Sequence, residues 1–264
     1  MSLKTILITG AGSGIGRDCA FALAARGHRV IATTYDESQA AVLRADALRL
    51  GHTLEVFTLD ITSAADRQKI LLLELDVLLN NAAVGESGSL AEVDVNRIRK
   101  AFEVNVFATL ELTQLALRGM IARRRGTVLL VSSIAGRIPM PFLMPYSMTK
   151  FALSAAGAGL RAELDALGAN VHVALIEPGA IHTGFNQSMT ERKYAWMADG
   201  SYFQAQAAQM KAKEARVFGF LEARDTRSIV AQIVKASEAR RPKLRYVAPW
   251  AQGLMVRMAR ILGA

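Results

Sequence analysis

A single cysteine, Cys19, leaves this chain without an internal disulfide, and its place beside Ala20 and Leu23 in a helical apolar pattern points to packing rather than nucleophilic chemistry. Long apolar runs are missing as well: no stretch approaches the roughly 18 residues of a membrane-crossing helix. The amino terminus passes straight into the strand pattern Thr5-Ile6-Leu7-Ile8-Thr9, with no signal-peptide core. These absences favour a soluble, cytoplasmic protein. The four histidines, at 28, 52, 172 and 182, have no metal-ligand spacing, so no metal is expected. Neither Ser132 nor Ser133 sits in a Gly-x-Ser-x-Gly elbow, which argues against a hydrolase. The basic clusters, Arg123-Arg124-Arg125 and the last 25 residues, are not interleaved with stacking aromatics. The net charge of +9 therefore reads mostly as solvated surface, suited in part to an anionic cofactor or partner and not to nucleic acid.

What the chain does have is apolar content: 264 residues at 52% hydrophobic can bury a large core, and one α/β domain over 1–264 is expected. Near-continuous apolar strands alternate with helical patterns, which predicts a doubly wound parallel sheet of about seven strands covered on both faces. After the first strand comes Gly10-Ala11-Gly12-Ser13-Gly14-Ile15-Gly16, a turn whose glycines would let a diphosphate approach the amides at the positive end of a helix. Its spacing departs from Gly-x-Gly-x-x-Gly, though the mechanism is the same. The second strand ends at Thr33, Thr34 and Tyr35, with Asp36 one step later. No carboxylate stands at Thr34 to exclude a ribose 2′-phosphate, which favours NADP over NAD. Asp60-Ile61 and Asn80-Asn81-Ala82-Ala83 follow the third and fourth strands, where an open α/β sheet binds its ligand; Asp60 equally fits a turn or a helix cap.

Residues 97–120 read as one long helix bearing Asn105, an amide that needs partners if buried. Tyr146 and Lys150, four apart at a helix start, share one face. A fixed ammonium there would lower the phenol pKa and make Tyr146 an acid and base near neutral pH. The stretch 185–226 is the least regular and rich in Met and aromatics, which suits a hydrophobic substrate or an ordinary helical hairpin. The helix expected at 250–262 is amphipathic and basic, fit for its own domain, a partner subunit or a membrane surface.

Thr9-Gly10-x-x-x-Gly14-x-Gly16, Asp60, Asn80-Asn81-Ala82, Asn105, Ser132-Ser133, Tyr146-x-x-x-Lys150 and Pro178-Gly179 with Thr183 follow in an order and spacing that resembles the short-chain dehydrogenase/reductase family over nearly the whole length. The resemblance implies an NAD(P)-dependent oxidoreductase interconverting a secondary alcohol and a ketone. Asn105, Ser133, Tyr146 and Lys150 would be the catalytic set. In the family Ser133 holds the substrate oxygen, Lys150 binds the ribose, and Asn105 links to Lys150 through water. Gly10, Gly12, Ser13, Gly14, Ile15, Gly16, Thr34, Tyr35, Asp60, Ile61, Asn81, Ala82, Tyr146, Lys150, Pro178, Gly179, Ile181 and Thr183 would line the cofactor. It also implies a mobile substrate lid at 185–226, and a homodimer or homotetramer through the helices bearing Asn105 and Tyr146. Departures are Ala83 in place of a glycine, a short helix between Asp60 and Asp76, and no clear ribose or phosphate selector. A catalytically silent NAD(P)-sensing protein of the same fold is the alternative.

Overall fold

The computed structural model describes residues 2–197 and 200–263. Seven strands, β1 (Thr5–Ile8), β2 (Arg29–Thr34), β3 (Glu55–Thr58), β4 (Val77–Asn80), β5 (Gly126–Val131), β6 (Val171–Pro178) and β7 (Arg245–Ala248), form one sheet in the order β3-β2-β1-β4-β5-β6-β7. Every pairing is parallel. The helices are α1 (Gly14–Ala24), α2 (Glu37–Arg49), α3 (Ala64–Gln68), α4 (Val95–Phe102), α5 (Thr109–Ala122), α6 (Met144–Leu167), α7 (Phe185–Trp196), α8 (Ala207–Leu221), α9 (Arg227–Glu238) and α10 (Trp250–Ile261).

Strand side chains alternate between two cores. Ile6 and Ile8 of β1 join Leu23 of α1 and Ile233 of α9, whereas Leu7 faces Leu112 of α5 and Leu153 of α6. With both faces covered, each strand can be apolar throughout, which is why the sequence shows runs rather than alternation. Cys19 is free and buried in the first of these cores, as expected.

The helix ends have local causes. Asp36 caps α2 by accepting from the Gln39 amide at 2.9 Å, and Ser63 caps α3 by accepting from Asp66 at 3.2 Å. Helix α6 carries Pro145 in its first turn and stops at Gly168, whose φ of 64° is left-handed.

Two expectations are corrected. The helix predicted over 97–120 is broken by a π turn at Glu103–Ala108, between α4 and α5. Asn105 lies in that wide turn, and the Thr109 hydroxyl donates to the Val104 carbonyl at 3.2 Å, taking up an acceptor the α pattern would have used. The 185–226 stretch is not irregular: it holds α7 and α8, and none of the side chains of α8 is buried.

Helix α6 lies close on the sheet at Gly157, where an added Cβ would come within 2.7 Å of Leu175 and 2.9 Å of Leu130; at Gly159 it would meet nothing within 4 Å. Gly157→Val should therefore lower the free energy of unfolding by about 1–3 kcal/mol through overpacking. Gly159→Ala should raise it by up to about 1 kcal/mol through helix propensity. Urea denaturation of both variants checks the pair, and equal shifts would contradict the packing.

Candidate active site

All seven strands are parallel, so their carboxyl ends share one edge of the sheet, and the switch point lies where β1 sits between β2 and β4. Thr9 fixes that junction. Its hydroxyl accepts from the amides of Asn81 and Ala82, each at 3.0 Å, while the Asn81 side chain donates to the carbonyls of Thr9 and Gly10, each at 2.9 Å. The glycine loop is thus stitched to the end of β4, and Ala82 stands where a Cβ on Gly10 would collide, at 2.8 Å. A Cβ on Gly12 would strike Gln39, and one on Gly16 would strike Asn81 and the Gly10 carbonyl. Thr183, from the loop after β6, closes over Gly14. Helix α1 has no capping side chain from Ser13 and no acid in its first turn. Ile15 follows, packed against the core.

Around this cradle the other predicted cofactor residues divide. Thr34 is fully buried and donates its hydroxyl to the Asp36 carbonyl, so it turns inward, whereas Tyr35 is exposed. The Asp60 carboxylate accepts from the Thr62 amide at 2.9 Å and hydroxyl at 2.7 Å, the turn its position also suggested; Ile61 is buried, its carbonyl held by Arg67.

Ser133, Tyr146 and Lys150 come together at the end of β5. Tyr146 is buried beside Ser133, whose hydroxyl donates to the Pro178 carbonyl at 3.3 Å and accepts from the Ala135 amide at 3.1 Å. Lys150 donates to the Val131 carbonyl at 2.8 Å, and its ammonium lies 5.4 Å from the centroid of the Tyr146 ring. Ser132 bonds the Lys150 carbonyl and Ser154, a structural place distinct from that of Ser133.

The expected electrostatics are corrected here. Burial pushes the Tyr146 phenol above its ordinary pKa, opposed only in part by the Ser133 hydroxyl, and burial brings Lys150 down to about 7. Lys150 thus does not lower the phenol in this arrangement. Asn105 has direct partners of its own. Its side chain pairs with both backbone groups of Val84, at 2.8 and 2.9 Å, and donates to Thr149 at 3.0 Å. Thr149 in turn donates to the Tyr146 carbonyl at 2.7 Å, so Asn105 holds the turn that carries the phenol.

The end of β6 brings Pro178 beside this group; in the loop that follows, Ile181 is buried and His182 stays exposed against Glu222 and Gln187. Two residues that the sequence reading did not assign organise the loop. Glu177, wholly buried, pairs with Arg137 and Arg245, and Gln252 of α10 accepts from the Ala180 amide at 2.7 Å. The signal was a carboxylate at the end of the apolar run Val173-Ala174-Leu175-Ile176 and an amide early in an amphipathic helix. Phe185 of α7 meets the Tyr146 ring edge-on at 5.7 Å, and Ala135, Met140, Leu143 and Met189 complete an apolar wall.

The family model for short chain dehydrogenases matches residues 4–194. The chain is 34% identical over 210 residues to mouse (Mus musculus) dehydrogenase/reductase SDR family member 7B, covering 76% of this chain and 62% of that protein, so it spans less than two thirds of that relative. It is 31% identical over 264 residues to the probable short-chain type dehydrogenase/reductase VdlC of Helicobacter pylori, covering 97% and 92%. A Burkholderia phymatum short chain dehydrogenase/reductase solved in complex with NAD shares the fold, with a TM-score of 0.79, 24% identity and coverage of 97% and 92%. The family model over most of the chain and a relative covered over 92% of its own length make the chain a member of the short-chain dehydrogenase/reductase family.

Proposed function

We propose that the chain interconverts a secondary alcohol and a ketone on a hydrophobic substrate, with Tyr146 as the general acid and base. The observation that carries this reading is the buried Tyr146 phenol, set inside an apolar wall with Lys150 5.4 Å from its ring, on the same sheet edge as the glycine cradle. Ser133 would hold the substrate oxygen, and Tyr146 would give it a proton in reduction and take one in oxidation. Its raised pKa keeps the phenol protonated, the form that reduction uses. The apolar wall supports a hydrophobic substrate.

The residues fit a nicotinamide dinucleotide. The uncapped, acid-free start of α1 offers its amides and positive dipole end to a diphosphate, and the glycines leave the backbone bare there. Gly10, Gly12, Ser13, Gly14, Ile15 and Gly16 would hold that group, with Tyr35, Asp60, Ile61, Asn81 and Ala82 toward the adenosine side. Lys150 would hold ribose hydroxyls, and Pro178, Gly179, Ile181 and Thr183 the carboxamide. The bound dinucleotide would supply or accept hydride. NADP is favoured over NAD because no carboxylate stands at Thr34, and the nearest one, Asp36, is engaged by Ser38 and Gln39. Helices α7 and α8 would act as the substrate lid. The exposed Phe107 and Phe151 suit a subunit contact beside α5 and α6.

Tyr146→Phe should cut ketone-dependent NADPH oxidation by about 10²–10⁴-fold while leaving the dinucleotide Kd within a few-fold. Unchanged kcat would reject the role, and absence of turnover by the parent chain on any ketone would favour a sensor. Calorimetry should find NADPH bound more tightly than NADH; the reverse order would overturn the cofactor preference.

Lys150 gives a pH signature. Its pKa is about 7 in the folded chain and about 10.4 when unfolded, so between these values the unfolded chain binds the extra proton and stability rises with pH. Below that window both states are protonated and the gain is absent. Relative to Lys150→Met, the parent should gain up to about 1.4 kcal/mol per pH unit inside the window. Parallel urea curves for the two at each pH would contradict the buried, neutralised lysine.

A further inference from the structure

Helix α10 is amphipathic in the unusual sense. It rests on the domain through Gln252, Gly253 and Val256: Gln252 donates to the Leu221 carbonyl at 2.7 Å, and a Cβ on Gly253 would meet Val247 at 2.6 Å. Its apolar stripe faces away. Trp250, Leu254, Met255, Met258, Ile261 and Leu262 are all exposed, Trp250 at 74% and Leu262 at 81%. At about 100° per residue these six fall on one arc, with Arg257 at its edge and Arg260, also exposed, farther round. No ion pair among the described residues engages either arginine. After Glu238 the chain carries Arg240, Arg241, Lys243, Arg245, Arg257 and Arg260 and no acid at all.

We infer that α10 is a membrane-docking helix that lies in the interface of an anionic bilayer, with its stripe among the acyl chains and its arginines at the headgroups. The charge decides the occupant. A two-fold contact with a second copy through this face would bring Arg257 and Arg260 up against their own copies, with no Asp or Glu in the segment to answer them. Anionic headgroups supply the missing charge, and a leading Trp with Leu, Met and Ile is the side-chain set that settles at such an interface. Phe220, 88% exposed, adds an apolar side chain where α8 ends, one residue before the carbonyl that Gln252 holds. Through Gln252 the docking helix is bonded both to that end of α8 and to the Ala180 backbone. The surface would therefore lie beside the loop and helix that line the proposed site.

The test is flotation of the full chain with vesicles of phosphatidylcholine alone and of phosphatidylcholine mixed with phosphatidylglycerol, a readout that needs no turnover. The chain should float with the mixed vesicles, with a blue shift of tryptophan emission, and about tenfold less with phosphatidylcholine alone. Leu254→Ser combined with Met258→Ser and Ile261→Ser should abolish flotation. Arg257→Gln with Arg260→Gln, a pair that leaves the apolar stripe intact, should weaken it about tenfold. Circular dichroism confirms that each variant is folded. The inference fails if the parent chain does not float with anionic vesicles, or if either variant floats as the parent does. It also fails if the parent ignores vesicles and light scattering shows that the apolar triple variant has lost a self-associated state.

Discussion

The seam between the end of β5 and the first turns of α6 holds the rest in place. Ser132 bonds the Lys150 carbonyl at 3.1 Å and Ser154 at 2.7 Å, and an added Cβ on Gly136 would lie 2.6 Å from that same carbonyl. The two backbones are therefore in contact with no room between them. The seam also sets the depth of the two functional side chains: Lys150 reaches back to the Val131 carbonyl, and Tyr146 is sealed beneath Phe185 and beside Ala135.

Depth has an electrostatic consequence. Desolvation disfavours whichever form carries charge, so one burial moves an acid up and a base down. Tyr146 and Lys150 drift toward a neutral phenol and a half-neutral amine, the opposite of a phenolate steadied by an ammonium. Ser133 is the group that leans against this drift, and its own hydroxyl is anchored on the Pro178 carbonyl. Glu177, buried between Arg137 and Arg245, pins the strand end that supplies that carbonyl, so charges far along the chain set where the proton-carrying group can sit.

Much of this was legible in the residues. Apolar runs punctuated by glycine placed every strand, and the spacing of Tyr146 and Lys150 put both on one helix face. Spacing does not say where a long side chain ends, and the Lys150 ammonium went to a backbone carbonyl rather than to the phenol. The π turn at Asn105 was hidden because one wide turn barely disturbs a 3.6-residue pattern. The Asn105 side chain within it pairs with Val84, joining segments 21 residues apart, which local periodicity does not report. Thr34 sat at the expected strand end but turned inward to the Asp36 carbonyl, which strand periodicity alone does not resolve. The amphipathicity of α10 was readable, yet only the three-dimensional packing reveals that Gln252 faces in and the apolar stripe faces out.

The burial of the Tyr146 phenol is the claim on which the chemistry stands, and carbon NMR of Cζ-labelled tyrosine measures it directly, with Tyr146→Phe identifying the resonance. In the free chain the Tyr146 signal should remain that of a protonated phenol well above pH 10, where an ordinary tyrosine titrates. A signal that titrates at or below about 10 would contradict it, because the hydroxyl would then be solvated or facing a charge the structure does not place there.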